Sequence, residues 1–195
     1  MEFEGEYLFD KKYNGKGFDE NGNIIYELNK GAGKVKEYFN GILIFDGEYI
    51  NGKDKIEKGK KYDNQGNLIF EGEYLNGKKW NGINIKNYYY GSLIETTETI
   101  EYRNGKRNGE IKKFKDGKLV FKGEYINENI IENIKKYNYY DGNLIFEGSY
   151  FKGKPFNGIY YEYKIDNDSE KRILSAKYIY LNGIKDLIPE KKNDN

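Results

Sequence analysis

One five-residue phrase recurs along nearly the whole chain and constrains its fold more than any other feature. It reads Phe3-Glu4-Gly5-Glu6-Tyr7 and returns as Phe45-Asp46-Gly47-Glu48-Tyr49, Phe70-Glu71-Gly72-Glu73-Tyr74, Phe121-Lys122-Gly123-Glu124-Tyr125 and Phe146-Glu147-Gly148-Ser149-Tyr150. Degenerate copies begin at Tyr26, Glu98 and Leu174, so the copies start at positions 3, 26, 45, 70, 98, 121, 146 and 174. Units of this length cannot bury a hydrophobic face alone and must stack on their neighbours.

Each unit carries two turn signals. The phrase is followed by Asn51-Gly52, Asn76-Gly77, Asn104-Gly105 or Asn182-Gly183, and the next copy is preceded by Asn40-Gly41, Gln65-Gly66, Asp116-Gly117 or Asp141-Gly142. Asn-Gly and Asp-Gly accept the positive φ angles of tight hairpins. The stretches between them are rich in Tyr, Ile, Phe and Val and show no sustained helical period. Each unit therefore reads as a β-hairpin.

Side chains alternate between the two faces of a strand. Phe70, Gly72 and Tyr74 share one face, and Glu71 and Glu73 share the other. The central glycine is expected to lie beneath a neighbouring aromatic ring, as in aromatic rescue of strand glycines. Return strands end in Tyr62, Phe114 or Tyr137, which extends the ring face and places Lys61, Lys113 and Lys136 on the glutamate side. Such cross-strand pairing accounts for 33 basic against 32 acidic residues without a ligand.

These residues resemble the MORN (membrane occupation and recognition nexus) repeat, an aromatic-x-Gly-x-aromatic pattern with Gly three residues later and further glycines opening the return strand. Tyr102, Gly105 and Gly109 keep the family spacing, and Phe45-Gly47-Tyr49-Gly52 and Phe70-Gly72-Tyr74-Gly77 match its first half. The resemblance covers residues 3–182. Departures include an inserted aromatic-Asn-Gly step at Tyr13-Asn14-Gly15, Trp80-Asn81-Gly82 and Phe156-Asn157-Gly158, and threonines at 96, 97 and 99 in place of aromatics. The resemblance implies an all-β chain, an elongated single-layer antiparallel sheet of about eight stacked hairpins over 1–182. It also implies a scaffold or attachment role towards a protein partner. Lipid contact has been proposed for the family, and bacterial relatives are often labelled antitoxins. Residues 183–195 read as a C-terminal cap and polar tail.

Composition excludes much chemistry. The chain has no Cys and no His, which removes disulfides, thiolate nucleophiles, thiolate metal sites and His-based acid–base pairs. Regular Glu in successive copies reads as a solvated face rather than a catalytic pair, so no catalytic residue and no enzyme is expected. Asp166-Asn167-Asp168 and Asn193-Asp194-Asn195 lack the spacing of a calcium loop, and Gly15-Lys16-Gly17 and Gly31-Ala32-Gly33-Lys34 are not phosphate loops; no metal and no cofactor is expected. A net charge of +1 and the lack of a recognised motif argue against nucleic acid. Met1 precedes Glu2-Phe3-Glu4 rather than a basic and then apolar leader, and apolar runs such as Ile42-Leu43-Ile44-Phe45 are too short to span a bilayer. A soluble, cytoplasmic chain is expected.

Two features fall outside the repeat. Trp80, Tyr88, Tyr89, Tyr90, Tyr139, Tyr140, Tyr160 and Tyr161 place adjacent rings on opposite faces, the composition of a partner-binding surface. Ile44, Ile50, Ile69, Leu75, Val120, Ile126, Ile145 and Phe151 flank the carboxylates on a face that should be wet, and await cover by the C-terminal segment, a homodimer mate or another protein. The function expected is a non-enzymatic scaffold or adaptor working through protein–protein contact. Its alternatives are an antitoxin-like or counter-defence inhibitor that neutralises an enzyme, and peripheral binding to anionic lipid.

Overall fold

A computed structural model describes residues 2–50, 56–91, 93–128, 130–167, 169 and 172–189. The Asn51-Gly52 turn, Asp168 and the tail from 190 lie outside the described residues. Among the described residues sixteen strands follow one another: β1 (Glu2–Leu8), β2 (Lys11–Phe18), β3 (Ile24–Leu28), β4 (Gly33–Phe39), β5 (Ile42–Tyr49), β6 (Ile56–Tyr62), β7 (Leu68–Leu75), β8 (Lys78–Tyr90), β9 (Leu93–Arg103), β10 (Lys106–Lys115), β11 (Lys118–Asn127), β12 (Ile130–Tyr137), β13 (Leu144–Phe151), β14 (Lys154–Ile165), β15 (Arg172–Leu181) and β16 (Ile184–Ile188). The eight odd-numbered strands hold the eight copies of the phrase, and the even-numbered strands return. Neighbours in sequence are neighbours in the sheets, β1 to β3 in one and β4 to β16 in a large open second one. No helix occurs among the described residues, and none is long and apolar enough to cross a membrane.

The chain divides into two compact units, 1–87 with 100–106, and 88–99 with 107–195. In the first, Tyr26, Leu28, Val35, Phe45 and Tyr49 form a buried cluster, and Phe70 is wholly buried. In the second, Ile111, Phe121, Ile134 and Phe146 are buried. The Phe and Tyr of one phrase pack together, with ring centroids 5.0 Å apart for Phe70 and Tyr74 and 5.2 Å for Phe146 and Tyr150.

Five of the named dipeptides form tight turns. Asn76 and Gly77 have φ of 51° and 73°, and Asn40-Gly41, Asn104-Gly105, Asp116-Gly117 and Asn182-Gly183 share this pair of positive angles, which matches strand twist. Gln65-Gly66 and Asp141-Gly142 differ: they sit in longer loops headed by Asp63 and Asn138. The Asp63 Oδ1 accepts the Gln65 and Asn67 N–H groups, and the Asn138 Oδ1 accepts that of Tyr140.

The expectation of rings over the central glycine holds only in part. A Cβ at Gly47 or Gly59 would meet the Phe45 ring at 2.5 or 2.6 Å. At Gly72, opposite Gly82, it would instead meet backbone, 2.2 Å from the Asn81 carbonyl oxygen and 2.6 Å from the Gly82 Cα, with φ at 158°. There glycine permits close backbone approach rather than a ring contact.

The lysine assignment is corrected. Bulges fall between Lys61 and Tyr62, Lys113 and Phe114, and Lys136 and Tyr137. The extra residue keeps Tyr62 opposite Leu68 while Lys61 lies opposite Phe45 and Phe70, and Lys136 opposite Phe121 and Phe146, all on the ring face. The Lys113 ammonium stands 5.8 Å from the Phe121 centroid. Of the lysines that precede these three, Lys60 lies 3.3 Å from Glu71 and Lys112 lies 2.7 Å from Glu110; on β4, Lys36 likewise lies 3.9 Å from Asp46.

Candidate functional site

The inserted aromatic-Asn-Gly step is a structural clasp, and it absorbs Trp80. At each of its three occurrences the return strand bulges, and the aromatic residue's carbonyl turns towards the next hairpin turn. The Gly31 N–H donates to the Tyr13 carbonyl at 2.6 Å, Gly105 to Trp80 at 2.8 Å and Gly183 to Phe156 at 2.8 Å. The adjacent Asn side chain takes the preceding N–H: Lys30 donates to Asn14 Oδ1, Asn104 to Asn81 Oδ1 and Asn182 to Asn157 Oδ1. The Trp80 indole is half-buried and packs over Gly105, where a Cβ would lie 3.3 Å away.

The remaining aromatic candidates have separate settings. Tyr88, Tyr89 and Tyr90 end β8 with 41%, 38% and 80% exposure. Tyr139 and Tyr140 lie in the β12–β13 turn rather than on opposite faces of a strand, their rings meeting edge to face at 5.1 Å. The Tyr139 hydroxyl donates to Asp116 at 2.6 Å, which raises its pKa, and Lys115 and Lys118 stand 5.1 and 5.0 Å from its ring. Tyr140 is 82% exposed. Tyr160 and Tyr161 do face opposite ways. Tyr160 lies opposite Phe146 and beneath Lys185 at 4.6 Å, whereas Tyr161, opposite Lys177, donates to Glu147. Burial, then that bond, pushes the Tyr161 hydroxyl up to about 12.

The flanking aliphatics divide as well. Ile44, Ile50, Ile69, Val120 and Ile145 are half-buried, and Leu75, Ile126 and Phe151 are exposed. The C-terminal segment through Ile188 forms β16, which pairs with β15 as one more strand.

Charge layout on the carboxylate face is the feature that sequence reading missed. In the first unit, opposite charges face each other across strands. Glu48 lies between Lys34 and Lys58, and Asp46 lies between Lys36 and Lys60, which in turn faces Glu71. In the second unit like charges do so across β10 to β12, up to Lys135, which faces Glu147 on β13. Glu110, Glu124 and Glu132 form one row across β10, β11 and β12, and Lys112, Lys122 and Lys135 form the next. The signal was present as strand order: Lys34-x-Lys36 and Lys58-x-Lys60 against Glu110-x-Lys112 and Lys122-x-Glu124. Both faces carry open troughs, about 410 Å³ around Asp46 and Lys60 and about 630 Å³ around Glu132 and Glu147.

One carboxylate is inside. Glu98 takes the phrase's Phe position, is buried and is ion-paired with Lys113. Among the described residues, no group of three or more acidic side chains is placed to hold a metal ion. Asp166 instead accepts the Ser169 hydroxyl. Comparison of the chain with known families, curated proteins and solved structures finds no match.

Proposed function

We propose that this chain is a non-enzymatic MORN-type repeat protein, a scaffold or adaptor that presents its β surface to a protein partner. The observation that carries this reading is the exposure of Tyr90 and Tyr140, 80% and 82%, in a chain whose phrase aromatics are largely spent on packing. Exposed tyrosines supply large, stiff contact area with one polar tip, the chemistry enriched at protein interfaces. The lack of His and Cys supports a binding rather than a catalytic role.

The test is affinity capture with wild type and the Tyr90→Ala/Tyr140→Ala variant, after circular dichroism shows the same strand signal for both. Selective loss of a partner by the variant supports the reading. Unchanged recovery of every partner removes these two rings from it.

A further inference from the structure

We propose that the carboxylate face of β10–β12 is a self-complementary docking surface for a second copy of this chain. Like charges opposed on adjacent strands destabilise a sheet, yet here two such rows lie side by side. Glu110, Glu124, Glu132 and Lys135 are exposed, and Lys112 and Lys122 are half-exposed. Within the chain, Lys112 pairs with Glu110 at 2.7 Å and Glu124 accepts the Asn133 amide. Lys122, Lys135 and Glu132 have no ion-pair partner among the described residues, so the central strand's lysine is unneutralised.

A two-fold axis running along the rows, midway between them, lays the lysine row of one copy over the glutamate row of the other. It does so twice, because the contact is isologous. The central strand reads Val120, Lys122, Glu124, Ile126 on this face, the same apolar–charged–charged–apolar order from either end with the charge reversed. The axis therefore seats Lys122 on Glu124 of the other copy and brings Ile126, 44% exposed, onto Val120. On β13 it likewise brings Phe151, 42% exposed, towards Ile145. Charge segregation that costs the isolated sheet becomes complementarity in the pair.

The test is sedimentation equilibrium of the full chain across the micromolar range. A dimer is expected that weakens with salt, as the Debye length shrinks from about 10 Å at 0.1 M to about 3 Å at 1 M. Lys122→Glu alone and Glu124→Lys alone should each raise the dissociation constant by about tenfold or more. The Lys122→Glu/Glu124→Lys double variant, which swaps the charges, should restore it, and an equimolar mixture of the two single variants should form mixed dimers. Lys122→Glu places a carboxylate between Lys112 and Lys135, so an undiminished melting temperature at low protein concentration separates lost docking from lost folding. A monomer at every concentration and salt overturns the proposal. So does a dimer indifferent to Lys122→Glu, which would place the contact elsewhere, whether on another face or with another kind of partner.

Discussion

The two units build the same hairpin from the same phrase and then distribute charge in opposite ways. Around β4–β7 the residues named on the carboxylate face carry one sign per strand, so neighbouring strands attract: Lys36 meets Asp46, and Lys60 meets Glu71. Around β10–β12 each strand carries both signs in alternating order, so neighbours repel across the sheet: Glu110 faces Glu124 and Lys112 faces Lys122. Both layouts are nearly neutral. The difference teaches that neutrality says nothing of where charge is satisfied; in the first arrangement it is met across neighbouring strands, whereas in the second Lys112 turns to Glu110 of its own strand.

Beneath the charges the units should behave alike, and three pairs of variants probe how far the likeness extends. Phe70 and Phe146 are both essentially buried, so Phe70→Ala and Phe146→Ala should each cost about 3–5 kcal/mol in chemical denaturation. A large gap between them would show that the two cores are not equivalent.

The clasps come next. Asn81→Ala and Asn157→Ala each remove the side-chain acceptor of a turn N–H, a loss of about 1 kcal/mol apiece in the same assay. A cost in one unit only would restrict the clasp to that unit.

Two tyrosines should then separate the units. The Tyr74 hydroxyl is buried without a hydrogen-bond partner, whereas that of Tyr161 donates to Glu147. Tyr74→Phe should therefore be neutral or stabilise by up to about 1 kcal/mol, and Tyr161→Phe should destabilise by about 0.5–1 kcal/mol. Burial raises the folded-state pKa of Tyr74 to about 12, above its ordinary value. The stability linked to that protonated phenol is present below pH about 10 and is lost as pH climbs through about 12. Alkaline unfolding of Tyr74→Phe, followed by tyrosinate absorbance, should accordingly lose part of its steepness.

Much of the fold was legible. The recurrence of the phrase located all eight phrase-bearing strands, and Asn-Gly or Asp-Gly located five of the tight hairpin turns, because those steric requirements are local. The facing of Lys61, Lys113 and Lys136 was not, because each sits at a bulge and one extra residue reverses the parity on which face assignment rests. Asn14, Asn81 and Asn157 were visible as departures from the repeat, but their acceptor role depends on turns 16, 23 and 25 residues away. The same holds for the charge rows: the order of Lys and Glu along each strand is in the sequence, and only register shows which residues oppose one another. Tyr139 and Tyr140 were misplaced because the loop headed by Asn138 extends beyond its Asp-Gly dipeptide.

The most direct test of the charge comparison is one matched pair of reversals, Lys60→Glu and Lys122→Glu, melted at low salt and low protein concentration. Lys60→Glu sets a carboxylate between Asp46 and Glu71 and should destabilise by about 0.5 kcal/mol, with these groups half-exposed. Lys122→Glu relieves a row of lysines and should stabilise by about as much, and both effects should shrink at high salt. Shifts of the same sign would contradict the account, since the two rows would then not differ as their registers require.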